Sequence, residues 1–119
     1  SPALRATQTC QLVSQELGIP QNNILFETGI YEASLNNLLS LVNQHSEGIH
    51  TLLIIGHNPG LDQLLCYLSR EPPPVSSTGK LLTTAAVAIL DYGDTAITAK
   101  PLQAQLQYLI RPKDLSKFQ

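Results

Sequence analysis

Apolar positions along the chain recur in two spacings, and the alternation between them defines the expected elements. Ala6, Cys10, Val13 and Leu17 step by four, three and four, which places them on one face of an α-helix that Gly18 would end. Ser1 is a good capping residue and Pro2 suits the first helical position, so the spacing predicts a helix over 1–17. Leu35, Leu38, Leu39 and Val42 predict a second helix over 33–44. Leu61, Leu64, Leu65 and Leu68 predict a third over 60–69, stopped by Glu71-Pro72-Pro73-Pro74, because proline lacks the N–H that a continuing helix needs. A short strand is expected over 24–27. The run Leu52-Leu53-Ile54-Ile55, four large apolar residues between turn formers, predicts a strand over 51–55 covered on both faces, as in a parallel sheet. Thr84 to Leu90 reads as another buried strand, Tyr92-Gly93-Asp94 as a turn into a hairpin strand over 95–99, and 107–111 as a last strand before Pro112. This order of elements predicts one domain of α/β class with a partly parallel sheet.

Composition narrows the partners. With 119 residues, 43% of them hydrophobic, the chain can bury one modest core. A formal charge of -2 with only seven Lys plus Arg gives no basic surface, so neither nucleic acid nor an anionic membrane is an expected partner. No apolar run approaches the roughly 20 residues of a membrane-crossing helix. Cys10 and Cys66 lie on leucine-rich helical faces, far apart in sequence, and read as buried free thiols in a reducing cytoplasm. No His, Cys or carboxylate pair has zinc-ligand spacing, and neither a metal nor another cofactor is expected. Ser77-Thr78-Gly79-Lys80-Leu81 is no phosphate-binding P-loop, since Pro74 stands where the earlier glycine is required and Leu81 follows the lysine.

Two positions carry candidate chemistry. Gly56-His57-Asn58-Pro59-Gly60 puts His57 where the strand over 51–55 would end and the third helix would begin. At such junctions free backbone N–H groups and the helix dipole favour phosphate. Arg5 stands in the first turn of the first helix, facing the positive end of its dipole, a placement a bound anion would reverse. On position alone Arg5 is a solvated surface residue. Taken with His57 at a similar corner, it points to one phosphate pocket that both residues share.

These segments resemble a known family. Ser1-Pro2-Ala3-Leu4-Arg5-Ala6-Thr7-Gln8-Thr9 is similar to the Ser-x-x-x-Arg-Ala-x-Gln-Thr segment of the histidine phosphatase (phosphoglycerate mutase-like) superfamily, and Gly56-His57-Asn58-Pro59-Gly60 to its second histidine motif. Thr83-Thr84-Ala85-Ala86-Val87-Ala88 and Ile110-Arg111-Pro112-Lys113-Asp114-Leu115 resemble the short SixA-type phosphohistidine phosphatases. The resemblance implies a three-layer fold, a mixed and mostly parallel sheet flanked by helices. It also implies a metal-independent phosphatase that passes through a covalent phosphohistidine. Arg5 and His57 would then bind and stabilise the phosphoryl oxygens, assisted by Asn58, in a reaction that depends on positioning and charge neutralisation. Glu32 lies where related enzymes carry an acidic residue near the pocket, although locally it reads as a helix-opening carboxylate. Glu27 is a poorer candidate for the same role.

The family's nucleophile belongs to an Arg-His-Gly motif on the first strand, and no Arg-His dipeptide occurs from Ser1 to Gln119. His45 and His50 read as structural or solvent-facing. The chain is therefore expected to be the C-terminal part of such a domain, without the first strand, inactive by itself and with an unpaired edge along 51–55. The expected substrate is a phosphohistidine on a protein. The alternatives are a small phosphate ester, as in a phosphomonoesterase of the same superfamily, and a non-catalytic phosphate-binding remnant.

Overall fold

The computed structural model describes residues 3–30, 33–76 and 79–112. Three helices, two 3₁₀ turns and two strands make a small α/β unit. Helix α1 spans Leu4–Leu17 and is capped by Ala3 without a side-chain hydrogen bond. Ser1 and Pro2 lie outside the described residues. Gly18 ends the helix in the left-handed region at φ 68°. There its N–H donates to the Gln15 carbonyl at 3.3 Å and that of Ile19 to Ser14 at 2.9 Å, the paired bonds of a Schellman motif that glycine forms without steric cost. Only Ala6 and Ser14 of α1 are buried.

Helix α2, Leu35–His45, begins two residues after the predicted start because Ser34 caps it, its Oγ accepting from the Asn37 N–H at 3.3 Å. Helix α3 spans Gly60–Leu68. The core lies between these two helices: Leu38 and Val42 meet Leu64 and Leu68, with Ile30 from the 3₁₀ turn Thr28–Ile30 closing one side. Strands β1 (Val87–Asp91) and β2 (Gln105–Ile110) pair antiparallel, with a register shift between Ile89 and Leu90, and Leu90 reaches the helical core.

The parallel sheet expected from the sequence is absent among the described residues, where the sheet has two antiparallel strands. The run over 51–55 forms no strand. Its apolar side chains are half-buried apart from Leu53, 47% exposed, but apolarity cannot supply a ladder. Thr51 to Ile54 have no hydrogen-bond partner among the described residues. The segment 24–27 is also irregular, with Leu25 and Phe26 exposed after the 3₁₀ turn Gln21–Asn23. Residues 95–99 form no hairpin strand, because β1 takes β2 as its partner. The turn itself is present, with the Thr95 N–H and hydroxyl both donating to the Tyr92 carbonyl.

One parallel contact does occur. Arg70 N–H donates to Ala104 O at 2.7 Å and Ala104 N–H to Leu68 O at 2.9 Å, joining the end of α3 to the approach of β2 through a bridge at Ser69 and Ala104. Beyond β2, the Arg111 guanidinium donates to the carbonyls of Pro74, Lys80 and Leu81 at 2.7, 3.3 and 2.8 Å. The proline-rich loop is thereby tied to the end of the sheet.

Tyr92 donates its hydroxyl to the Thr98 carbonyl at 2.8 Å, and burial pushes the phenol above its ordinary value of 10.0. Ionisation is therefore harder in the folded chain than in the unfolded one. The stability this group contributes is complete below its unfolded value and is lost as pH rises through the folded value. Tyr92→Phe should cost about 1 kcal/mol near pH 9, and its deficit against the natural chain should shrink as the pH climbs above 10. Urea unfolding at a series of pH values checks this; a deficit constant across that range would contradict it.

Candidate functional site

The lead-in to α3 and the lead-in to α2 border one open cleft of about 490 Å³, lined by Ala33, Ser34, His57, Asn58, Pro59, Gly60 and Gln63. Both helix starts contribute, Ser34 as the cap of α2 and Gly60 as the first residue of α3. Glycine is what lets them approach: a Cβ on Gly60 would lie 2.7 Å from the Ala33 carbonyl oxygen. His57 is half-buried at the rim, and its carbonyl accepts the Leu61 N–H at 3.1 Å, the first bond that ties the motif to α3. Orphan N–H groups of a helix start attract anions. The cleft thus combines an imidazole with the positive ends of two helices, whose Asn37, Leu61 and Asp62 N–H groups are already bonded to Ser34 Oγ, the His57 carbonyl and Asn58 Oδ1.

Asn58, which precedes Pro59 through a cis peptide bond, is engaged at both ends of its amide. Its Nδ2 donates to the Leu82 carbonyl at 2.6 Å and its Oδ1 accepts the Asp62 N–H at 3.1 Å. Asp62 Oδ1 in turn accepts the Leu82 N–H at 2.9 Å. Asp62 was not among the residues singled out from the sequence. The available signal was its position, four residues after Asn58 in the first turn of an expected helix.

Among the described residues, Arg5, Glu27, His45 and His50 are not part of the lining of this cleft. Arg5 is exposed in the first turn of α1. Glu32 lies outside the described residues. Glu27 accepts or shares a hydrogen bond with His45 Nε2 at 3.0 Å, which fastens the last turn of α2 to the preceding loop. His50 is exposed. Cys10 and Cys66 are free thiols but not buried ones: Cys10 is half-buried and Cys66 exposed. A second groove of about 300 Å³, lined by Cys66, Arg70, Pro72, Pro73, Val75 and Leu81 among others, holds no residue of the histidine motif.

Among the described residues, no cluster of three or more His, Cys, Asp or Glu side chains could hold a metal ion, and no helix is long and apolar enough to cross a membrane. Compared with protein-family models, curated proteins and solved structures, the chain matches none.

Proposed function

We propose that this chain binds a phosphoryl group in the cleft at His57, as part of a cytoplasmic phosphohistidine phosphatase of SixA type that would act on a phosphorylated protein. The observation that carries the reading is the placement of His57 beside two converging helix starts, where the helix dipoles and an imidazole favour the charge of one phosphate. The likeness of Gly56-His57-Asn58-Pro59-Gly60 to the second histidine motif of that superfamily supports the same chemistry. On this reading the fold is the three-layer, mostly parallel sheet of phosphoglycerate mutase-like proteins, and Arg5 would join His57 in binding the phosphate. A second reading, binding without turnover, is favoured by the lack of any Arg-His dipeptide in the 119 residues.

Orthophosphate titration followed by NMR tests binding. The His57 ring and the Gly60 and Leu61 amides should shift together and saturate, and His57→Ala should abolish the response. Scattered or absent shifts would refute the phosphate site. The 119-residue chain should bind without hydrolysing phosphohistidine, because no histidine stands in a nucleophile motif. Turnover that survives His57→Ala would overturn the assigned chemistry.

A further inference from the structure

A phosphate site at His57 leaves Asp62 in need of explanation. A carboxylate in the first turn of α3 suits the helix dipole, yet the same turn borders a cleft that would hold an anion, where a like charge works against the ligand. The geometry supplies a different task. Asp62 takes the N–H of Leu82 while Asn58 donates to its C=O, so both backbone polar groups of Leu82 are held from the start of α3. Asn58 is also joined to Asp62 by the 3.1 Å bond from the Asp62 N–H, which closes the set.

From this arrangement we infer that Asp62 is a positioning residue for His57, acting through Leu82 and Asn58. His57 is gripped from two sides, by its peptide link to the clamped Asn58 and by the Leu61 N–H on its carbonyl. Release of Leu82 frees the Asn58 amide and loosens the turn that presents the imidazole to the cleft. The inference rests on the phosphate reading for its ligand, but its geometry can be tested without one.

The experiment compares Asp62→Ala with Asp62→Asn in the 119-residue chain. Asparagine keeps an oxygen to accept the Leu82 N–H and removes the charge. Asp62→Ala should weaken the orthophosphate response of the His57 ring about tenfold, the scale of one lost charge-assisted hydrogen bond, and Asp62→Asn should restore most of it. Unchanged or tighter binding in Asp62→Ala, or equal losses in both variants, would overturn the inference, since either result makes the carboxylate a charge and not a clamp. A ligand-free arm follows amide exchange: Leu61, bonded to the His57 carbonyl, should exchange faster in Asp62→Ala while Leu65 in the same helix does not. Parallel acceleration of both amides would show general loss of stability and refute a positioning role. Should Asp62→Ala fail to fold, Asn58→Ser carries the same expectations, because it keeps a side-chain oxygen near the Asp62 N–H and is too short to reach Leu82. Loss of the orthophosphate response in the natural chain itself would refute the phosphate site, and the Leu61 amide alone would then decide the positioning role.

Discussion

Leu38→Ala should lower the unfolding free energy by about 2–5 kcal/mol, toward the upper part of that range. Leu38 is 1% exposed and sits at the centre of a cluster completed by Ile30, Val42, Leu64 and Leu68. So small a core has few other atoms to move into the space. The vacated volume would persist as a cavity, adding its own cost to the lost transfer energy. Against a total of about 5–15 kcal/mol for a natural domain, this is a large fraction. Urea unfolding should show a lower midpoint with an unchanged slope. Leu39→Ala, at a half-buried neighbour on the rim of the same cluster, should cost clearly less. Equal losses at the two positions would mean that the packing between α2 and α3 is not as described.

Gly60→Ala should also destabilise the fold, although helix propensity argues for the opposite sign. Alanine is favoured over glycine in a helix by about 1 kcal/mol, and a substitution in the first turn of α3 would ordinarily recover part of that. Here the added Cβ would stand 2.7 Å from the Ala33 carbonyl oxygen and 3.1 Å from Leu38 Cδ1. The leucine can rotate, but the carbonyl belongs to the backbone leading into the Ser34 cap and cannot yield without moving α2. Overpacking of this kind costs about 1–3 kcal/mol, so the steric term should prevail. The same displacement would widen the cleft and blunt the orthophosphate response of His57. A variant as stable as the natural chain would show that the two helix starts are not in contact.

The helices were legible in the sequence because their determinants are local. Leu35, Leu38, Leu39 and Val42 share a face whatever surrounds them, Ser34 is its own cap, and Gly18 makes its turn without help from elsewhere. Strands are not local. Leu52 to Ile55 reads as a sheet element by composition, but a ladder needs a neighbour, and the described chain brings none alongside. The expected hairpin failed for a related reason: a turn at Tyr92 reverses the chain, yet it does not decide which later segment pairs with β1, and Gln105–Ile110 takes that place. The last strand, expected over 107–111, was found two residues earlier at its start.

At the site, the helix start that follows His57 lies where glycine and proline mark the boundary, whereas the strand expected to end at His57 does not form. Asn58 was visible as part of the motif, but its bond to Leu82 depends on a loop more than twenty residues away. No periodicity encodes such a contact. Arg5 carries a local electrostatic conflict that the sequence reveals, whereas which residues line the cleft is set by how the helices pack, which the sequence pattern does not contain.

The three carbonyls gathered by Arg111 also place the loop in a temporal order. Pro72, Pro73 and Pro74 bring three acceptors and no N–H donors to the segment that follows α3, leaving it short of donors. The guanidinium makes up part of that shortage from thirty or more residues further on. Because a chain emerges from the ribosome amino end first, α2 and α3 can pack while the loop still lacks its fastening. The loop acquires its final shape only after β2 has been synthesised and paired, which makes the covering of this side of the molecule one of the last events in its folding.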